Sequence, residues 1–276
     1  MNLLLWIGNE PNQKALANKL AKEFNIVGIV TESRPFKRKI TLKKAFNSLY
    51  EKVFLSEINK AWWGMKNYYE LIYNSYPNVK KIDVENINSE EAYNFSKDLN
   101  PDLIIVSGTR LVKKNMLLIN SKKGILNLHT GLSPYIKGGP NCTNWCIATK
   151  QFHLVGNTIM WIDEGIDSGN ILTTERTKVD WEKSLLDVHT AVIEHAHQLY
   201  VKAIKYIEQG NISNIKQSDI GNGRTYYTKE WNLKKKRNLI KNYKEVKKNK
   251  TKEFVTKNSK SIKTVEITLG KNLYKK

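Results

Sequence analysis

Near the middle of the chain an apolar run breaks off at Asn127-Leu128-His129 and a loop rich in Gly and Pro follows, within GILNLHTGLSPYIKGGP, residues 124–140. Along an extended strand, residues i and i+2 project to the same side. The Asn127 amide and the His129 imidazole therefore share one face at the end of a strand. Asn offers an N–H donor, and His offers a proton that moves near neutral pH. Two donors converging on one point suit a developing oxyanion. Farther along, Asp163-Glu164-Gly165-Ile166-Asp167-Ser168-Gly169 reads as a Gly-rich acidic turn after another strand. Asp167 is well placed there to be the carboxylate that tunes the imidazole.

Other polar residues carry two readings each. Gly8-Asn9 lacks the spacing of a dinucleotide fingerprint; it either presents backbone amides to a phosphate or simply makes a turn. Cys142 and Cys146 lie one helical turn apart, with no second Cys pair and no His at ligand spacing, so helix packing is expected and a metal site is not. His195 and His197 face different ways on a helix, and neither His153 nor His189 has an evident partner. The run Arg34-Pro35-Phe36-Lys37-Arg38-Lys39 is either a phosphate contact or a solvated turn. Trp62-Trp63 with Tyr68-Tyr69 reads as core or interface in preference to a stacking platform. The loop Gly223-Arg224-Thr225-Tyr226-Tyr227 either reaches a substrate or packs.

The elements that must position these groups alternate along the chain. Apolar runs at 3–7, 26–30, 103–106, 124–128, 155–162 and 171–179 read as buried strands. Helical periodicity appears at 12–23, from about 88 to 99, at 111–119, after Pro140, and from Ser184 to Gln209, where Gly210 closes the helix. Such alternation predicts an α/β fold, a mostly parallel sheet with helices on both faces. Ligands on such sheets sit at the carboxyl ends of the strands, which gathers Gly8-Asn9, Ser107-Gly108-Thr109-Arg110 and Asn127–His129 onto one rim. The expected organisation is a catalytic domain over 1–210, carrying a basic, aromatic insertion at 33–77, and a small basic extension over 211–276. In that extension Glu253-Phe254-Val255 and Ile262–Leu269 are strand-like pieces that could pair as a hairpin.

Composition sets the outer bounds. A chain of 276 residues, 40% hydrophobic and 10% aromatic, can bury a substantial core and is not globally disordered. With only two cysteines there is no disulfide framework. No apolar stretch reaches the ~20 residues of a membrane span, and the N-terminus lacks a basic leader region, so the expectation is a cytoplasmic protein with no membrane partner. The net charge of +20 favours anionic partners such as nucleic acid, nucleotide, polyglutamate or phosphate, but it is densest from Leu233 onward and says little about the catalytic region.

The runs ILNLHTGLSPYIKGGP and GNTIMWIDEGIDSGNIL resemble the folate-dependent formyltransferase family, which includes glycinamide ribonucleotide, methionyl-tRNA and nucleotide-sugar N-formyltransferases. The family signature is Asn-x-His, a Ser/Pro/Gly-rich loop and a downstream Asp before Gly. These are matched by Asn127, His129, the loop 131–139 and Asp167. The resemblance is close over roughly residues 100–180 and weaker from residue 3. One departure is visible: the usual Ser-Leu-Leu-Pro run is Gly131-Leu132-Ser133-Pro134 here.

The resemblance implies a Rossmann-like sheet, catalysis by Asn127, His129 and Asp167, and 10-formyltetrahydrofolate as cosubstrate, with no metal. It further implies that the pterin contacts Arg110, Leu111 and Val112 together with the acidic loop Asp163, Glu164, Gly165, Ile166. Gly8 and Asn9, with Tyr135, Lys137 and Gly138 of the loop, are the expected acceptor-side contacts. The small C-terminal part suits a nucleotide-linked amino sugar as the amine acceptor, in a layout compatible with a homodimer. Initiator methionyl-tRNA is the alternative acceptor, and water would make the chain a formyl-folate hydrolase. A reading from another class is a non-catalytic RNA- or partner-binding protein on a formyltransferase scaffold; the intact polar trio argues against it.

Overall fold

The computed structural model describes residues 1–34, 42–249 and 262–270. The chain opens with β1 (Asn2–Gly8), α1 (Pro11–Ala21) and β2 (Asn25–Glu32), followed by the helices α2 (Leu42–Phe54) and α3 (Ser56–Ile72). Next come β3 (Lys81–Val84), α4 (Glu90–Asp98), β4 (Leu103–Ser107), α5 (Lys114–Leu117), β5 (Ile125–His129), β6 (Ile136–Gly138) and α6 (Cys142–Ala148). The remainder is β7 (Gly156–Trp161), β8 (Ile171–Arg176), α7 (Leu185–Glu208), α8 (Gln217–Ile220), β9 (Arg224–Tyr226) and α9 (Leu233–Asn249).

Seven strands form one sheet in the order β3-β2-β1-β4-β5-β7-β8. The first five run parallel; β7 and β8 are antiparallel to their neighbours. This is the mostly parallel α/β sheet expected from the alternating pattern. The continuous apolar run of β1 has a simple cause. Leu3, Leu5 and Ile7 pack with α1 and α7, through Leu16, Leu20, Tyr200 and Ile204. Leu4 and Trp6 point the other way, into a second core with Ala92 of α4 and Met116 of α5. A strand covered on both faces has no polar side to show.

Helix α7 starts where Ser184 caps it, in a reciprocal capping box with Asp187. Its fully buried Tyr200 reaches into the sheet. The hydroxyl donates to the Leu126 carbonyl at 2.7 Å and accepts from the Val106 N–H at 3.1 Å, bridging β4 and β5.

Three parts of the chain differ from the sequence reading. The segment 33–77 contains two helices: α3 buries Ile58, Ala61, Met65 and Tyr69 at spacings of three and four, a period masked by its many aromatic residues. The short edge strand β3 carries little apolar signal, since only Val84 of it is buried. The Lys-rich tail begins as α9, which packs Leu239, Tyr243 and Val246 against the Ile147 region and carries its lysines elsewhere. Of the expected hairpin, Glu253–Val255 lies outside the described residues. Ile262–Leu269 runs against β8, with Val265 accepting from the Thr174 N–H at 2.7 Å. Among the described residues no helix is long and apolar enough to cross a membrane.

Tyr200→Phe removes the hydroxyl and strands the Val106 N–H in the core. It should cost about 1–3 kcal/mol, read as a lower urea midpoint with an unchanged slope.

Candidate active site

The site is assembled at the carboxyl end of β5. Pairing of Val106 with Asn127 on one side, and of Thr158 with His129 on the other, fixes both residues in the sheet. Asp167 comes from the turn after β7, where it adopts a positive φ of 48°. That turn closes tightly: a Cβ on Gly169 would lie 1.8 Å from the Trp161 carbonyl oxygen, so only glycine fits. Gln217 of α8 then ties the turn down, its Nε2 donating to the carbonyls of Asp167 and Gly169 at 2.8 Å each.

The Asp167 carboxylate is the meeting point. Its Oδ2 accepts from the Gly138 N–H at 2.9 Å and lies 3.3 Å from His129 Nδ1. Its Oδ1 is approached by Asn127 Nδ2 at 3.5 Å, the outer limit of a hydrogen bond, so the Asn127 amide is only loosely held. The other imidazole nitrogen, His129 Nε2, faces the Ile136 carbonyl at 3.1 Å and the Cys142 thiol at 3.5 Å. His129 is 7% exposed. Burial, the largest influence, disfavours its charge. The Asp167 carboxylate, the Cys142 sulfur and the Ile136 carbonyl together outweigh it and hold the pKa up at about 10.

The departure at Gly131 now has a cause. A Cβ there would lie 2.7 Å from His129 Nε2 and 2.9 Å from the Cys142 Cβ. Glycine makes room for α6 to press Cys142 against the imidazole. Thr158 secures the start of the loop, donating to the Gly131 carbonyl at 2.7 Å and accepting from the Ser133 N–H at 3.0 Å. The far end of the loop, β6, pairs in parallel with β9 from the C-terminal extension.

A cleft of about 700 Å³ opens at these residues. Of the expected contacts it takes in Arg110, Leu111, Val112, Asp163, Gly165, Ile166 and Gly138, along with Asn127, His129 and Asp167. Gly8, Asn9, Tyr135, Lys137 and Glu164 do not line it. Asn9 is used structurally, donating to Ser33 Oγ at 2.8 Å and accepting from the Tyr76 hydroxyl at 2.9 Å. The Tyr135 hydroxyl accepts from the Lys263 N–H at 3.0 Å, and Glu164 lies 3.8 Å from Lys114. Arg110 lines the cleft while its backbone N–H donates to the buried Glu32 carboxylate at 2.8 Å, which also pairs with Arg34 at 3.3 Å. In the loop 223–227, Tyr226 and Tyr227 do reach the cleft.

Several contributors went unrecognised in the sequence. Glu32 ends the apolar run of β2 on the same rim, a signal of the kind that singled out Asn127. The sequence reads Cys142 as helix packing, whereas its thiol also meets the imidazole. Trp62, read from the sequence as core or interface, lines the cleft, as do Asn12 and Gln13, whose Oδ1 and Oε1 are buried with no partner among the described residues. Nothing around Gln217 announced it. Of the other histidines, burial pushes His189 down to about 4, and His197, which also lines the cleft, is held neutral by burial and by Lys19 at 3.3 Å. Among the described residues no group of three or more His, Cys, Asp or Glu is arranged to hold a metal ion.

The family model described as "Formyl transferase" matches residues 5–204, and the chain belongs to that family. A methionyl-tRNA formyltransferase from Clostridium tetani (strain Massachusetts / E88) is 31% identical over 143 residues, covering 51% of this chain and 46% of the relative. One from Clostridium beijerinckii (strain ATCC 51743 / NCIMB 8052) is 28% identical over 212 residues, covering 76% of this chain and 60% of the relative. The chain thus spans about half the length of the curated relatives it matches. Among solved structures, the N-formyltransferase from Helicobacter canadensis in complex with folinic acid and dTDP-3-aminofucose superposes with a TM-score of 0.56 at 17% identity, over 88% of this chain and 81% of that one. A sugar N-formyltransferase from Shewanella sp FDAARGOS_354 also gives 0.56, at 15% identity over 88% and 87%. At these identities the structural likeness speaks for the fold.

The elevated His129 pKa is also a stability statement. The stabilising charge is fully present below about pH 6.5, the value for an unfolded His, and is lost as pH rises through about 10. The melting-temperature gap between the wild type and His129→Gln should therefore be widest near pH 6 and shrink steadily toward pH 10.

Proposed function

We propose that this chain transfers a formyl group from 10-formyltetrahydrofolate to a primary amine, with a nucleotide-linked amino sugar as acceptor. The convergence of Asn127 and His129 on the Asp167 carboxylate, at the mouth of a cleft, carries the reading. The cleft volume falls in the usual range for small-ligand sites. Leu111, Val112, Met160, Ile162 and Ile166 supply apolar lining for a flat ring system, and backbone groups of 108–112 supply polar edges.

The donor brings a formyl carbon on a nitrogen that becomes the leaving group. Loosely tethered, the Asn127 amide is free to turn its N–H onto the oxyanion that develops at that carbon. His129 contributes chiefly as a buried cation: both ring nitrogens already face acceptors, so its charge acts on the oxyanion through a weakly screened interior. Of the two Asp167 oxygens, Oδ2 is occupied by Gly138 and His129, whereas Oδ1 has only the long Asn127 contact. Oδ1 is therefore the atom that accepts the proton from the attacking amine and returns it to the folate nitrogen as that C–N bond breaks.

Residues brought to the cleft by α1, by α3 and by the segment after β2 support the sugar-nucleotide acceptor. Trp62 offers a ring for a base, Arg34 a cation for phosphate, and the unpartnered oxygens of Asn12 and Gln13 accept from hydroxyl or amine groups. Methionyl-tRNA is the second reading, favoured by the identity to methionyl-tRNA formyltransferases over half the chain.

The two readings separate in one assay. The protein with 10-formyltetrahydrofolate is offered dTDP-, UDP- and GDP-linked 4-amino sugars in parallel with initiator methionyl-tRNA, and formylated product is read by mass. A sugar product is expected; exclusive formylation of the tRNA selects the second reading, and no product from any amine rejects both.

In the same assay Asn127→Ala should lower kcat on the order of 100- to 1,000-fold. Gly131→Ala, whose new methyl group displaces the imidazole, should cost on the order of 100-fold while the far-UV circular dichroism stays native.

A further inference from the structure

Helix α2 is amphipathic in sequence, yet none of its residues from 45 to 54 is buried. Phe46, Leu49, Val53 and Phe54 fall on one face at helical spacing and are 67%, 61%, 60% and 66% exposed. Single exposed apolar residues need no explanation, but a contiguous set of large ones marks a contact surface. None of the four lines the cleft.

What covers that face is constrained by charge. The neighbouring helix α9 presents Lys234, Arg237, Lys241, Lys244 and Lys248, all exposed, at alternating spacings of three and four. That spacing makes a single stripe of cations opposite the buried Leu239, Tyr243 and Val246. Arg237 of the stripe, with Lys236 beside it, borders α2 directly. Arg237 stacks 4.6 Å over the Tyr50 ring and donates to its hydroxyl at 2.8 Å, and Lys236 pairs with Glu51 at 2.6 Å. Large apolar side chains therefore sit beside cations of which Lys234, Arg237, Lys241, Lys244 and Lys248 have no ion pair among the described residues, on a chain of net charge +20.

We propose that the α2–α9 surface docks on an anionic lipid bilayer. Lipid phosphates would meet the α9 cations, and the acyl boundary would take Phe46, Leu49, Val53 and Phe54, as for amphipathic helices that lie in the interface plane. RNA satisfies only half of this surface, because phosphates leave Leu49 and Val53 in water. A second copy would bring the two cation stripes, and two chains of like charge, toward each other.

The test uses the full chain and sedimented vesicles, either pure phosphatidylcholine or phosphatidylcholine with about one-third phosphatidylglycerol. Binding to the anionic vesicles should exceed binding to the neutral ones by at least tenfold and weaken as salt is added. Leu49→Glu with Val53→Glu, and separately Lys241→Glu with Lys244→Glu, should each reduce that binding about tenfold or more. Ile212→Glu, an equally exposed apolar site elsewhere, should leave it intact. Unchanged melting temperatures will show that the variants fold, since no substituted side chain is buried. Equal binding to both vesicle types, or none, overturns the proposal. So does a dimer in sedimentation velocity that Leu49→Glu with Val53→Glu dissociates. Tight binding of bulk tRNA that survives the α2 substitutions but not the α9 ones, without vesicle binding, also overturns it by assigning the stripe to RNA.

Discussion

A buried imidazolium cannot stand alone, and the site is organised around its counter-charge. Removing a charge from water costs several kcal/mol unless it is paired and hydrogen-bonded. His129 meets that requirement with the Asp167 carboxylate on one nitrogen and the Ile136 carbonyl on the other. Asp167 in turn must be held in a backbone conformation that L-residues seldom adopt. The glycine at 169, the Gln217 bridge and the Gly138 N–H together hold it there. Each is a local device; their joint effect is to fix one carboxylate oxygen and leave the other with the long Asn127 contact.

Seen from that carboxylate, the C-terminal extension is part of the structure that holds the candidate site. Gln217 and β9 lie beyond the family match to residues 5–204, yet one pins the Asp167 turn and the other pairs with the loop strand that supplies Gly138. The loop is thus clamped at both ends, by Thr158 at its start and by Arg224–Tyr226 at its finish. Removing the extension would therefore release the site as well as a surface.

What could be read in the sequence follows from which signals are local. The strands β1, β2, β4 and β5 were legible because strands covered on both faces are continuous apolar runs. The trio was legible because strand alternation places Asn127 with His129, and because the spacing to Asp167 resembles a known signature. Glu32 obeys the same strand-end logic. By contrast, α3 and α9 were hidden: aromatic residues blur a helical period in the first, and lysines dilute it in the second. Cys142 and Gln217 act through contacts that only the folded chain creates. Gly131 looked like a departure and proved to be a steric requirement, visible only once the position of Cys142 is known. The expected acceptor contacts at Asn9, Tyr135 and Lys137 missed the cleft for the same reason: proximity in sequence to the rim does not determine which way a side chain turns.

The insertion between β2 and β3 shows how one segment can face two demands. Helix α3 joins the body of the protein, its Met65 and Tyr69 packing against Ala15 of α1 and Ile193 of α7, and this places Trp62 at the cleft. Helix α2 gains nothing comparable. Its Tyr50 and Glu51 hold it to α9, while its large apolar side chains stay in water. An isolated helix of that length is marginal in water, and exposing its apolar face forgoes the burial that stabilises most helices. A helix kept under those conditions, beside a stripe of cations, makes physical sense where an apolar and anionic surface completes it.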